Sequence, residues 1–359
     1  MTRHLLVMGV ALAAASIAHA DEPAPAPAAA KRPAIRILAT GGTIAGAQAG
    51  PSSYGYKAGS FKVEDLMKAV PTLDRLARLE GEQVANIGSQ DMNDAVWLKL
   101  AKRANVLLGS DGVDGIVITH GTDTMEETAY FLNLAVKSDK PVVLVGSMRP
   151  ATAISADGPG NLYNAVATAA NPAARGRGVL VVLNDEIHAA HSVAKTDTTS
   201  VETFRSPNRG PAGLIHTGQI DWFEPPGRRH TTKSEFSVDN LERLPRVDVL
   251  YAHANMSPDL ITAAVKNGAQ GLVIAGVGDG NMTGQAIDAL SAVAKQGVAV
   301  VRSTRLGSGI VLRNNEVEDD KRGFIASGEL NPGKSRVLLQ LALTRTKDPG
   351  RIQKMFNDY

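Results

Sequence analysis

The chain has 359 residues and no cysteine, so a disulfide framework is excluded and stability must come from packing and assembly. Aromatic residues make up only 4% of it, too few for the stacking platforms that hold single-stranded nucleic acid. Neither sign of charge dominates: 38 Lys and Arg stand against 36 Asp and Glu, interspersed along the chain. The formal net charge of +2 leaves no basic footprint for a nucleic-acid partner. Long hydrophobic runs are missing too, except at the start. Leu5 to Ile17 is an apolar run, but it is too short to span a bilayer as a helix, so no membrane partner is expected. Arg3 and His4 precede that run and Ala18-His19-Ala20 follows it as an A-x-A cleavage signal. Residues 1–20 therefore read as a secretory signal peptide, which implies a periplasmic or secreted protein.

What is present is an ordinary globular composition, 43% hydrophobic and 21% charged. Residues 21–33, DEPAPAPAAAKRP, read as an extended Pro/Ala-rich linker. From Ala34 onward, short β-rich runs (Ile35–Ala39, Ile116–Thr119, Val142–Val145, Val179–Leu183) alternate with helical stretches (Glu64–Ala69, Ala95–Ala104, Glu126–Val136, Leu162–Ala170). That alternation predicts βαβ units and a parallel sheet. A stretch rich in Gly, Pro, Arg and His, about 205–245, separates it from a second strand set at Val247–Tyr251, Leu272–Ala275 and Val298–Arg302, and from a final helix over Ser335–Leu343. The expected fold class is α/β. A larger N-terminal domain with a parallel-rich sheet covers 34–220, a connecting segment covers 221–245, and a smaller C-terminal α/β domain covers 246–359.

Ligands of open parallel sheets bind beyond the carboxyl ends of the strands. Two such ends carry unusual chemistry. Ile35–Ala39 runs into TGGTIAG, and Ile116–Thr119 runs into HGTDT, so Thr43 and Thr122 each follow a glycine at a strand end. Glycine there allows a sharp turn and close approach to a ligand. The hydroxyls suit either helix capping or nucleophilic chemistry, and a nucleophile needs a base, for which Lys195 in SVAKTDTTS is a candidate. Two other motifs are weaker. GELNPGKS, Gly328–Ser335, fits the phosphate-loop expression letter for letter, but that chemistry requires a βα unit whose sheet also supplies an acidic magnesium partner, and only twenty-four residues, mostly one helix, follow Ser335. His188 and His191 lack a third ligand at metal spacing, so neither a metal nor another cofactor is expected.

ATGGTIAG (Ala39–Gly46) and THGTDTMEETAYFL (Thr119–Leu132) resemble the two signature motifs of the bacterial asparaginases, in particular the secreted type II asparaginase/glutaminase-asparaginase group. The resemblance continues through GEQVANIGSQDMND, KPVVLVGSMRP, SADGPGNLYNAV and GVLVVLNDEI to LLQLALTRTKDP near the C-terminus. It implies an amidohydrolase that converts L-asparagine to L-aspartate and ammonia through a threonine acyl-enzyme, with L-glutamine as an alternative substrate and the preference between them open. It implies Thr43 as nucleophile and Tyr56 as the tyrosine that closes over it, with Tyr54 a neighbouring candidate. Thr122, Asp123 and Lys195 match the family's second constellation, Ser89 and Gln90 match substrate-binding positions, and Asp123 would also hold the substrate's α-amino group. Asn255 and Glu316 match residues that reach the site from a neighbouring subunit of a homotetramer. Either Tyr56, or Lys195 acting through Thr122, would take the nucleophile's proton. One departure stands close to the lysine: the family commonly has Arg-Asp where this chain has His191-Ser192. From another class, a periplasmic amino-acid-binding protein without turnover would use the same threonines as hydrogen-bonding groups.

Overall fold

The computed structural model describes residues 32–48, 55, 57, 59–224 and 227–359. The proposed signal peptide, most of the linker, and Tyr54 and Tyr56 lie outside them. The described chain holds a larger N-terminal sheet of eight strands, a smaller C-terminal one of four, and a two-stranded ribbon, Ala194–Lys195 with Phe204–Arg205.

Five strands of the larger sheet are parallel to one another. In chain order they are Ala34–Gly41, Arg78–Ile87, Gly115–Thr119, Val142–Val145 and Val179–Leu183, and their spatial order is second, first, third, fourth, fifth. The last three are buried along their whole length, as expected of strands covered on both faces. Alternate residues supply the two cores. Ile35, Ile37, Val117, Val143, Val145, Leu180 and Val182 face the helices Val63–Lys68 and Gly158–Ala170. Leu38, Ile116, Ile118, Val142, Leu144, Val179 and Val181 face Asp94–Leu108 and Met125–Ala135.

The sequence reading missed the second of these strands. Arg78–Ile87 is an edge strand with much of its length exposed, so its sequence, RLEGEQVANI, carries few apolar residues. The Gly/Arg-rich stretch also holds more order than its composition suggests. Gly213–His216 and Gln219–Trp222 extend the sheet antiparallel, joined to it through Glu186–Ala189.

The smaller sheet is parallel, in the order Val247–Tyr251, Gly271–Gly276, Ala299–Thr304, Phe324–Ala326. One face packs on the helices Asp259–Lys266 and Gly284–Lys295 through Leu272, Ile274, Leu290 and Val300. The other shares the core that contains Leu38, Ile116 and Leu144, through Val337, Leu338 and Leu341 of the helix Pro332–Leu343, which packs against Met125–Ala135. That helix begins three residues before the expected Ser335, because Asn331 caps it by accepting from Lys334 N and proline suits its first position. A further helix, Pro349–Asp358, was not expected at all. Asp348 caps it, and it buries Ile352, Met355 and Phe356.

Candidate active site

The strand order reverses between Ala34–Gly41 and Gly115–Thr119, the switch point at which parallel sheets open a crevice beyond their carboxyl ends. Both glycine–threonine turns lie there. Gly42 has a φ of 83°, and a Cβ on it would fall 2.3 Å from Gly121 N. A Cβ on Gly121 would fall 2.6 Å from Ser89 Oγ. The turns carrying Thr43 and Thr122 are therefore in backbone contact, which only glycine permits, and the Ser89 side chain packs against Gly121. The second strand reaches this point through a register shift: Ala39 pairs with Gln83 but Gly41 with Ile87, which re-aims the strand end toward Gly42.

Polar bonds fix the junction. Gly42 N donates to Ile87 O at 3.1 Å and Thr40 Oγ1 to Thr119 O at 2.9 Å. Asp123 N donates to Ser89 Oγ at 3.1 Å, and Thr124 Oγ1 to Ser89 O at 2.7 Å. Thr43 opens the short helical turn Thr43–Ala45 and is buried, as is Thr122. Asp123 and Gln90 are exposed, and the Gln90 amide folds back over Gly88. Ala47 and Lys57 form a two-way backbone bridge, and Gly59 N donates to Gly42 O at 3.3 Å, so the described flanks of the tyrosine segment meet beside Thr43.

Lys195 arrives on the short strand Ala194–Lys195, paired with Phe204–Arg205. Its Nζ donates to Thr122 Oγ1 at 3.0 Å and to Asp123 Oδ1 at 2.7 Å, which brings together the Thr-Asp-Lys set separated by seventy residues of chain. Its backbone N–H donates to Glu126 Oε2 at 2.6 Å. His191, which stands in the departure noted above, is buried, and burial together with the nearby Lys334 ammonium pulls its imidazole down to about 3. It is therefore neutral.

His120 sits beneath the second turn, fully buried. Its Nδ1 lies 2.7 Å from Gly121 O and its Nε2 2.9 Å from Thr128 Oγ1, while Trp97 Nε1 donates to that same hydroxyl at 2.8 Å. With Trp97 donating to it, Thr128 O–H is left to donate to Nε2, so the ring carries its proton on Nδ1. Burial holds the imidazole down at about 4 and the bond to Gly121 O opposes this only in part.

At the far end of the chain, Glu316 Oε2 accepts from Asn281 Nδ2 at 2.6 Å. Asn255, the residue that the sequence reading paired with Glu316, is exposed on a left-handed turn after Val247–Tyr251, with no hydrogen bond to Glu316. Asn281 was missed. Its signal is GDGNM, a glycine-rich turn at a strand end like the other two. Its loop and the Glu316 loop hang on one buried ion pair. Arg302 and Asp319, both fully buried, form a bidentate bridge at 2.6 and 2.8 Å. Arg302 also donates to Asp279 O, Gly280 O and Leu312 O, which uses every guanidinium N–H.

The weaker motifs resolve structurally. Lys334 of the phosphate-loop lookalike is buried, with its ammonium on the carbonyls of His191 and Val193. His188 bonds Ser206 and stands 3.2 Å from Glu186. Among the described residues no cluster of His, Cys, Asp or Glu could hold a metal, and no helix is long and apolar enough to cross a membrane.

A model of the N-terminal asparaginase domain matches residues 34–228, and one of the glutaminase/asparaginase C-terminal domain matches 246–356. The chain belongs to the asparaginase family. It is an enzyme of the asparaginase/glutaminase type, an amidohydrolase, which sets aside a binding protein without turnover. It is 56% identical to L-asparaginase 2 of Escherichia coli (strain K12), over 91% of this chain and 93% of that protein. A probable periplasmic L-asparaginase of Haemophilus influenzae is 54% identical, over 92% of this chain and 94% of that protein. Among solved structures, the probable cytoplasmic L-asparaginase of Campylobacter jejuni superposes with a TM-score of 0.89 at 48% identity, over 91% of this chain and all of that one. The asparaginase N-terminal match contains the three touching turns and Lys195, and the C-terminal match contains Asn281 and Glu316.

Proposed function

We propose that this enzyme hydrolyses the side-chain amide of L-asparagine, and by the same chemistry that of L-glutamine, through an acyl-enzyme on Thr43. The observation that carries the reading is the contact of the two glycine–threonine turns at the switch point, with Lys195 Nζ on Thr122 and Asp123. Thr43 Oγ attacks the amide carbon and loses its proton, either to Tyr56 or to Lys195 through Thr122. Backbone N–H groups of the glycine turns suit the oxyanion. The C–N bond breaks, and ammonia leaves with a proton. Water then attacks the ester, the Thr43 C–O bond breaks, and aspartate or glutamate departs.

Asp123 suits the substrate's ammonium, and the Ser89 hydroxyl and Gln90 amide suit its carboxylate. Glu316 would add a second carboxylate for the ammonium from a neighbouring subunit of a homotetramer, with Asn255 beside it, and Asn281 holds the Glu316 carboxylate through their hydrogen bond. The name of the Haemophilus influenzae relative and the A-x-A site at Ala18–Ala20 support a periplasmic or secreted location, with cleavage after Ala20. Mass spectrometry of the exported protein tests that cleavage, and retention of Met1–Ala20 overturns it. A coupled ammonia assay with L-asparagine and L-glutamine side by side tests the activity. Turnover of neither overturns the reading.

A further inference from the structure

The lysine of the phosphate-loop lookalike is buried on backbone carbonyls. Asn331 and Lys334 stand at the start of the helix Pro332–Leu343, on the C-terminal part of the chain. Lys334 reaches the carbonyls of His191 and Val193, at 2.9 Å for the first. Asn331 Nδ2 donates to Glu126 Oε1 at 2.7 Å, and the other oxygen of Glu126 accepts the backbone N–H of Lys195 at 2.6 Å. Glu126 itself lies three residues beyond Asp123, on the helix Met125–Ala135. The backbone from 191 to 195 is thus held by two polar side chains, Lys334 and Glu126, the second steadied by Asn331, and its last two residues pair with Phe204–Arg205.

We infer that Lys334, acting with Asn331 and Glu126, is the positioning element of Lys195. The three hold the backbone 191–195 so that Lys195 Nζ stays on Thr122 and Asp123. A lysine stem has four rotatable bonds, so the reach of its ammonium is set by where its backbone is fixed. A two-residue strand fixes little by itself. Glu126 ties the Lys195 backbone to the same helix start that carries Thr122 and Asp123, so both ends of the Lys195 contact share one reference frame. Lys334 ties the two residues upstream to the C-terminal domain.

Burying an ammonium costs several kcal/mol unless it is paired and hydrogen-bonded. Burial draws Lys334 down to about 8, and the charges of Glu126 and Glu329 oppose that fall. A leucine or methionine would fill this place without the penalty. What the ammonium adds is two directed bonds to carbonyls of the Lys195 segment. A cavity of about 340 Å³, lined by Lys195, His191, Asn331 and Lys334 among others, lies beside the contact. The segment therefore has room to shift when the grip is lost.

The inference rests on Lys195 being catalytic, and the test separates the two. Four variants of the full-length enzyme are compared with wild type: Lys334→Met, Lys334→Arg, Lys195→Met and the double Lys334→Met/Lys195→Met. Methionine keeps the stem and removes the donors; arginine keeps donors and charge. Lys334→Met is expected to lower kcat about tenfold or more with little change in KM. Lys334→Arg should recover part of that loss, and Lys334→Met should cost nothing further once Lys195 is methionine. An unchanged kcat in Lys334→Met overturns the inference. So does a loss that is equally large in the Lys195→Met background, since a general weakening of the fold would act in both. Wild-type kcat in Lys195→Met overturns the catalytic reading instead. Should Lys334→Met fail to fold, Glu126→Gln takes its place in the same cycle, because an amide cannot accept from both Lys195 N and Asn331.

Discussion

Lys195 Nζ lies 3.0 Å from Thr122 Oγ1 and 2.7 Å from Asp123 Oδ1. This contact joins a buried hydroxyl, a half-buried ammonium and an exposed carboxylate at the end of one parallel strand. As a stability device it is worth little, because Asp123 is open to solvent and exposed pairs contribute about 0–1 kcal/mol. Its place at the switch point gives it its value. Replacing Lys195 by Met or Thr122 by Ala is expected to lower kcat on the order of 10³-fold, with thermal stability close to wild type. Thr43→Ala should be similarly inactive while still binding aspartate, measured by calorimetry. Wild-type turnover in any of the three would remove that residue from the chemistry.

The glycine contact can be tested directly. A Cβ at Gly42 would meet backbone atoms of Gly121 at 2.3–2.4 Å, and the φ of 83° strains any L side chain. Neither neighbour is the tip of a flexible side chain, so relief requires the two turns to separate. Gly42→Ala is expected to cost several kcal/mol, or at least about 3, and to abolish turnover. Gly160→Ala, where a Cβ meets nothing within 4 Å, is the control. Equal melting temperatures for the two variants would show that the turns do not need to touch.

Much of this was readable in the sequence, for physical reasons that differ by region. Strands such as VVLV at 142–145 and VLVVL at 179–183 are covered on both faces, so they appear as unbroken apolar runs between helical patterns. Thr43 and Thr122 were readable because turns at strand ends seldom combine glycine with several polar groups. Arg78–Ile87 was not readable, because an exposed edge strand need not be apolar. Glu316 was singled out, but its bonded companion was not. Asn281 follows a strand end as Asn255 does, and its bond to Glu316 arises only from the folded packing of the GDGNM loop against the Glu316 loop. Glu126 and Lys334 were hidden for a related reason: their partners are backbone groups distant in the chain, which leave no pattern.

Acidity should destabilise the fold through His120. Its imidazole is held near 4 when folded, against about 6.5 when unfolded. Between those values the unfolded chain binds a proton that the folded one refuses, so stability is complete above about 6.5 and falls as the pH drops toward 4. The loss from this one ring is on the order of 3 kcal/mol. Protonation would put a second donor on Nε2, against the Thr128 O–H that donates to it. Thermal unfolding of wild type and His120→Asn across pH 7 to 4 checks this: the variant should be less stable at pH 7 but show a shallower fall. Parallel profiles would mean that His120 titrates normally.

The Arg302–Asp319 pair predicts a coupled effect. Removing one partner of a fully buried pair leaves an uncompensated charge, at about 3–5 kcal/mol. Here Arg302→Met would also release Asp279, Gly280 and Leu312, the loops that present Asn281 and Glu316. A lower melting temperature is expected together with a raised KM for asparagine. Chemical denaturation and steady-state kinetics on the same preparation measure both, and a variant with wild-type stability would show that the pair is not holding those loops.

Assembly gives the last prediction. Glu316 and Asn281 are bonded to each other in the C-terminal domain, while Thr43 and Thr122 stand in turns beyond strand ends of the larger sheet and Lys195 lies on the short strand paired with Phe204–Arg205. If each site takes Glu316 from a neighbour, then a chain with an inactive nucleophile can still complete another chain's site. Such sharing would also suit a cysteine-free enzyme: burying apolar surface between subunits would add stability, and a cleft closed by two chains would exclude water. Thr43→Ala and Glu316→Ala, each inactive alone, are mixed, dissociated and reassembled beside a wild-type control. Shared sites predict recovered ammonia release, because some sites then combine an intact Thr43 with an intact Glu316 from the other chain. Sites closed within one chain predict none: every chain in the mixture lacks one of the two residues. Verified mixed oligomers without activity, alongside active reassembled wild type, would therefore assign Glu316 to its own chain.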